Sequence, residues 1–124
     1  TLDRGHVVRL KTGTSSRTAV VKEAMRLGPD AIVIGEIRDA GTMMGALGAA
    51  GSGHAVYATI RADSVSDITE SVRAMMPEEA RDAVEDLLTE VLCGALFQEL
   101  VTDDDGARRP GNFEVFIPTG AALP

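Results

Sequence analysis

Two short apolar runs in this chain each end in residues able to do chemistry. Ala31-Ile32-Val33-Ile34 leads into Gly35-Glu36-Ile37-Arg38-Asp39, and Ala55-Val56-Tyr57-Ala58-Thr59-Ile60 leads into Arg61-Ala62-Asp63-Ser64. In parallel α/β sheets, ligands gather beyond the carboxyl ends of the strands. If the two runs are neighbouring strands, Glu36, Arg38, Thr59, Arg61 and Asp63 converge on one crevice. A carboxylate at a strand tip, such as Glu36, can orient or deprotonate a water attacking a phosphate, or hold Mg²⁺ through water. Gly35 leaves room for a phosphate or another backbone. The competing reading of Glu36 is a surface glutamate paired with Arg38. Arg61 can stabilise phosphate charge, because its guanidinium matches that geometry and stays protonated. More simply, Arg61 and Asp63 form a surface ion pair, or Asp63 or Ser64 caps the following helix.

Other candidates carry less. His54 opens the second run and, taken alone, reads as a hydrogen-bonded structural residue before a catalytic one; His6 has less to recommend it. No His or Cys falls at metal-ligand spacing, and no Ser, His and acid grouping announces a hydrolase. The one cysteine, Cys93, excludes a disulfide framework and reads as a small buried core residue. Thr12 to Thr18 echoes a phosphate loop but lacks its second glycine and has Arg17 where a lysine belongs, so that reading is rejected. No Gly-x-x-x-x-Gly-Lys-Ser/Thr occurs in the 124 residues.

The elements that would position these groups alternate between strand and helix, the sign of a mostly parallel α/β sheet. His6 to Lys11 is a short strand candidate. Gly13-Thr14-Ser15-Ser16 is turn-like, with Ser15 or Ser16 capping a helix whose face carries Val20, Ala24 and Leu27 and which Gly28-Pro29 stops. Ala31 to Ile34 runs apolar without alternation and predicts a strand covered on both faces. A helix from about Asp39 to Ala50 follows, with Met43, Leu47 and Ala50 inward and Gly45 and Gly48 suited to close helix packing. A third helix turns Val65, Ile68, Val72 and Met75 inward. Pro77 opens a fourth, with Glu78 and Glu79 in its first turn and Val84, Leu87, Leu88, Val91, Leu92 and Ala95 on its apolar face. Asp103-Asp104-Asp105-Gly106 is a hairpin turn or loop, and Phe113 to Ile117 a last strand pairing with Phe97 to Val101.

The bulk numbers bound the class. The chain has 124 residues, enough for one domain, with 44% apolar and 25% charged residues, so it folds. Aromatics are 3%, which leaves the core to aliphatic side chains and Met. A net charge of −7 argues against direct nucleic-acid binding and describes a solvated acidic surface. No apolar stretch reaches the roughly 20 residues of a membrane-spanning helix. The start at Thr1 and the end at Ala121-Ala122-Leu123-Pro124 read as cuts in something longer.

Arg26-x-x-Pro29-Asp30 and the run through Asp39 resemble the Walker B segment of the type II/type IV secretion ATPase superfamily, which includes pilus assembly and retraction motors and traffic ATPases. Gly53 to Ser64 resembles the same superfamily's histidine-box segment, in the right order and offset. His6-Val7-Val8-Arg9-Leu10 is similar to the stretch preceding Walker B in the tight-adherence pilus branch. Gly94-x-x-x-Gln98-x-Leu100 is similar to a helix end of the family, Phe113-Glu114-Val115 to its following strand, and Thr1-Leu2-Asp3 to a remnant of its acidic box. The resemblance covers nearly the whole chain, as the carboxyl-terminal portion (1–124) of a motor domain.

It implies a partial RecA-like P-loop NTPase core in a homo-hexamer, with ATP and Mg²⁺ as cofactors. Glu36 would be the catalytic Walker B glutamate, reaching Mg²⁺ through water. Arg38, His54, Thr59 and Arg61 would bind or sense nucleotide. The implied setting is the cytoplasmic face of the inner membrane, on a platform protein of a pilus or secretion system. Two departures matter. Arg61 stands where the family usually has histidine, which makes the charge there permanent and excludes proton transfer by that side chain. The Walker A loop is absent from these 124 residues, so this stretch by itself is expected not to hydrolyse ATP, and to expose an apolar flank where other strands belong. The alternative is a non-catalytic ring subunit or truncated relative acting as a scaffold; an unrelated α/β enzyme would need another cofactor motif.

Overall fold

The computed structural model describes residues 7, 8, 10 and 17–118. The readings placed on Thr1-Leu2-Asp3, His6, Gly13 to Ser16 and most of Thr12 to Thr18 lie outside these. So does most of the strand expected over His6 to Lys11. Its described members Val7 and Val8 are exposed and in no strand.

Helix α1 (Arg17–Arg26) ends where the sequence breaks it. Gly28 takes φ 64°, a left-handed conformation that suits glycine after a helix, and its N–H closes on the Met25 carbonyl. The face turned inward is centred on Val21, not on the expected stripe; Val20 and Ala24 are half-buried and Leu27 is exposed.

Strand β1 (Ala31–Ile34), helix α2 (Ala40–Gly51) and strand β2 (Ala55–Ala58) form a βαβ unit. The strands pair in parallel with Ala31 opposite Ala55 and Ile34 opposite Ala58. Asp39 caps α2, its carboxylate accepting the Thr42 N–H at 2.8 Å. Gly45 brings α2 close to α1: a Cβ there would stand 3.2 Å from Val21 Cγ1. Gly48 makes no such approach, since a Cβ there would meet nothing within 4 Å.

The expectation that β1 is covered on both faces is corrected. Ile32 is buried, but Val33 is 76% exposed and its register partner Tyr57 is 64% exposed. Helices cover one face of the pair; the face bearing Val33 and Tyr57 is open among the described residues. An unbroken apolar run records that both faces are oily, not that both are covered.

Beyond β2 an irregular segment leads to α3 (Ile68–Met75), a 3₁₀ turn at Glu78–Ala80 and α4 (Arg81–Val91). The core joins α2, α3 and α4: Ile37, Met43, Ala46, Leu47, Val72, Met76, Val84 and Leu88 are buried together. Val65, expected on α3, is buried in the turn before it. Arg73 crosses from α3 to α4, reaching Asp82 at 3.0 Å and Glu85 at 2.5 Å. Arg81 Nε donates to the carbonyls of Arg73 and Met76 at the end of α3.

The chain leaves α4 at Leu92, so Ala95 belongs to strand β3 (Ala95–Thr102), and Gln98-x-Leu100 is strand, not helix end. Strand β4 (Arg108–Phe116) pairs with β3 antiparallel, as expected, in a hairpin separate from the β1–β2 pair. Asp103 to Ala107 make its turn, with Gly106 at φ 82°. Cys93 is exposed rather than buried, because it falls in the link between α4 and β3. No helix among the described residues is long and apolar enough to cross a membrane.

Candidate functional site

The parallel register delivers the ends of β1 and β2 to the same edge of the sheet. Past Ile34 and Ala58 the two chains stay joined, the Ile37 N–H donating to the Thr59 carbonyl at 2.9 Å. The Thr59 hydroxyl donates in turn to the Gly35 carbonyl. These cross-links fix where Glu36 leaves the backbone. A Cβ on Gly35 would meet nothing within 4 Å, so the space above that residue is open.

Glu36 reaches outward between two guanidiniums. Arg38 Nε donates to Glu36 Oε2, and Arg61 Nε donates to Glu36 Oε1 at 3.2 Å. The hydrogen bond from Arg38 is the largest cause holding the Glu36 carboxyl below the usual carboxylate range; Arg61 acts in the same direction, and partial burial opposes both. Glu36 is therefore an ionised acceptor. The Arg61 side chain is 93% exposed, so its tie to Glu36 is weak and exchangeable.

An open groove of about 890 Å³ begins at this cluster. Thr59, Arg61, Asp63 and Glu70 are among its lining, as are Leu96 and Phe97 of β3.

Four of the sequence candidates thus come together: Glu36, Arg38, Thr59 and Arg61. His54 does not join them. It precedes β2, at the amino end of the pair, five residues from Thr59 or about 16 Å along an extended chain. Its Nδ1 lies 3.2 Å from the Ala49 carbonyl at the end of α2, which is the structural role first weighed for it. Arg61 pairs with Glu36 rather than Asp63, and α3 starts after Asp67, so neither Asp63 nor Ser64 caps it. Two participants went unread. Asp39 capping α2 directly after the site was legible as an acidic residue three before Thr42. Glu114, whose Oε2 accepts the Val65 N–H at 3.2 Å, announces itself by no local spacing.

The description "Type II/IV secretion system protein" belongs to the family model that matches residues 1–113. The chain is a member of that family. Its α/β architecture is a partial RecA-like core, and the family's secretion and pilus ATPases are its relatives. It is 34% identical over 101 residues to "Type IV pilus retractation ATPase PilT" of Pseudomonas aeruginosa, covering 82% of this chain and 29% of that protein. It is 31% identical over 108 residues to "Twitching motility protein" of Neisseria gonorrhoeae, covering 87% of this chain and 29% of that one. Among solved structures, the Yersinia pseudotuberculosis ATPase DotB aligns with a TM-score of 0.78 at 28% identity, over 90% of this chain and 29% of its own. The pilus retraction motor PilT with bound ADP aligns at 0.73 and 31% identity, over 86% and 31%. The chain therefore spans less than a third of the length of these relatives.

Proposed function

We propose that this chain is the carboxyl-terminal portion of a RecA-like ATPase motor domain, and that Glu36, Arg38, Thr59 and Arg61 form the hydrolytic edge of its nucleotide site. The observation that carries this is one carboxylate at the end of β1, clasped by guanidiniums that include one delivered from the end of β2. The donor set fits ATP and Mg²⁺ in part. Glu36 accepts hydrogen bonds from water, Thr59 supplies a hydroxyl, and the two arginines match phosphate oxygens. No group of three His, Cys, Asp or Glu that could hold a metal occurs among the described residues. Mg²⁺ would thus be held here through water and phosphate oxygens, its usual mode beside nucleotides. When bound, the ion supplies charge neutralisation to the phosphates.

On this reading the residues divide the work. Glu36 orients the attacking water and accepts its proton. Arg61 exchanges its weak contact with Glu36 for phosphate oxygen, which frees the carboxylate at the moment phosphate arrives. Arg38 keeps Glu36 ionised. The coupled machine is a homo-hexamer working on a pilus or type II/IV secretion apparatus, at an inner-membrane platform protein on the cytoplasmic face.

The test is Glu36→Gln in the full-length gene product carrying this segment. Fluorescent-nucleotide binding should persist while ATP turnover falls by at least about 10²-fold, the size expected for a lost proton acceptor. Unchanged turnover would sink the assignment.

One feature favours a second reading, a non-catalytic ring subunit. Glu36 is engaged by two guanidiniums, one of them Arg61, in the place where the resemblance led to an expectation of histidine. Nucleotide binding without turnover in the unsubstituted full-length protein would select that reading.

A further inference from the structure

Arg61 stands on a segment without regular structure, between the end of β2 at Ala58 and the start of α3 at Ile68. Its side chain is 93% exposed, so packing does not hold it and its backbone decides its position. Two hydrogen bonds bracket that backbone. At the near end the Thr59 carbonyl accepts the Ile37 N–H at 2.9 Å. At the far end Val65 is buried, and its N–H donates to Glu114 Oε2 at 3.2 Å.

Glu114 comes from β4, where it pairs with Phe97 of β3. Phe97 and Phe116 on this side of the hairpin are half-buried, while Leu96 and Val115 on the other side are exposed. Phe97 also lines the groove that Thr59, Arg61 and Asp63 share. The hairpin thus presents Glu114 to the segment that carries Arg61. A carboxylate accepting a main-chain N–H is charge-assisted, and a buried N–H that lost it would drive the segment to rearrange.

We propose that Glu114 is a positioning residue, which accepts the Val65 N–H to fix the Thr59–Val65 segment and so sets where Arg61 stands. Glu114 acts through backbone, not on the nucleotide. Its kinetic consequence rests on the reading of Arg61 as the phosphate-facing group; its anchoring of the segment does not.

The experiment uses the full-length gene product with Glu114→Ala and Glu114→Gln. Backbone hydrogen exchange over residues 60–66, ATP kinetics and melting temperature are measured together. Glu114→Ala should exchange faster at Val65 and lose about ten- to a hundredfold in kcat/KM, as when a positioned group shifts by about an ångström. Its melting temperature should fall only slightly, as for one lost hydrogen bond. Glu114→Gln, whose side-chain oxygen still accepts, should stay near the parent in both exchange and kinetics. Unchanged exchange at Val65 in the Ala variant overturns the proposal, as does faster exchange with unaltered kinetics in a protein that turns over ATP. A Gln variant as impaired as the Ala variant also overturns it. If the parent has no turnover, the hydrolytic reading of the site fails, and the anchor is judged on exchange alone. If Glu114→Ala does not fold, Glu114→Asp, one methylene shorter, carries the same test with loosened exchange expected.

Discussion

Glu36 holds one negative charge against two arginines, and that imbalance governs its titration. Its folded pKa is depressed, first by the Arg38 hydrogen bond. The favourable pairing is therefore present above the ordinary glutamate pKa and lost as pH falls through the lowered folded value. In Arg38→Ala the Glu36 midpoint should move up toward the ordinary range, read by carboxyl NMR titration of the side chain. A midpoint that stays where it was would mean that another group sets it. Arg61 gives a second prediction. A guanidinium does not titrate near neutrality, whereas imidazole does. Arg61→His in the full-length protein should add an inflection near pH ~6.5 to the rate profile. A profile identical to the parent's would place Arg61 outside the reaction.

Helix α2 follows directly after the site, and its glycines divide by environment. At Gly45 an added Cβ would press on Val21 at 3.2 Å, so Gly45→Leu should force α1 away and destabilise by about 1–3 kcal/mol. At Gly48 an added Cβ meets open space, so Gly48→Ala should stabilise by roughly 0.5–1 kcal/mol through helix propensity. Denaturant titration of both variants checks the opposite signs. At the head of the same helix, Asp39→Ala removes the acceptor for the Thr42 N–H and should destabilise by about 1 kcal/mol.

On the larger scale, two apolar surfaces stand open among the described residues. Val33 and Tyr57 sit opposite each other on the bare face of the β1–β2 pair, and Leu96 and Val115 do the same on the outer face of the hairpin. Exposed patches of this kind mark contact surfaces or association liabilities. The 124-residue chain by itself should self-associate in sedimentation at micromolar concentration, and Val33→Lys with Tyr57→Lys should shift it toward monomer. A monodisperse monomer from the unsubstituted chain would refute this.

The order of the elements was legible in the sequence, as were the candidate residues beyond the strand tips. Ala31 to Ile34 and Ala55 to Ala58 are too apolar and too short to be surface helices, and the residues after each run must emerge beyond the strand. Glu36 and Arg61 were legible as candidates for that reason. Their pairing was not, because only the parallel register places two tips on the same edge, and register is a contact between segments over twenty residues apart. His54 and Arg61 lie close in sequence yet reach opposite ends of the sheet, since an extended strand separates them by its full length. Cys93 and Ala95 looked buried because apolar spacing continued past Leu92, but the backbone had already left the helix. Glu114 carried no local signal, since its partner is a main-chain N–H forty-nine residues away. Local spacing fixes what a residue could do; which groups meet depends on long-range contacts that no window of sequence contains.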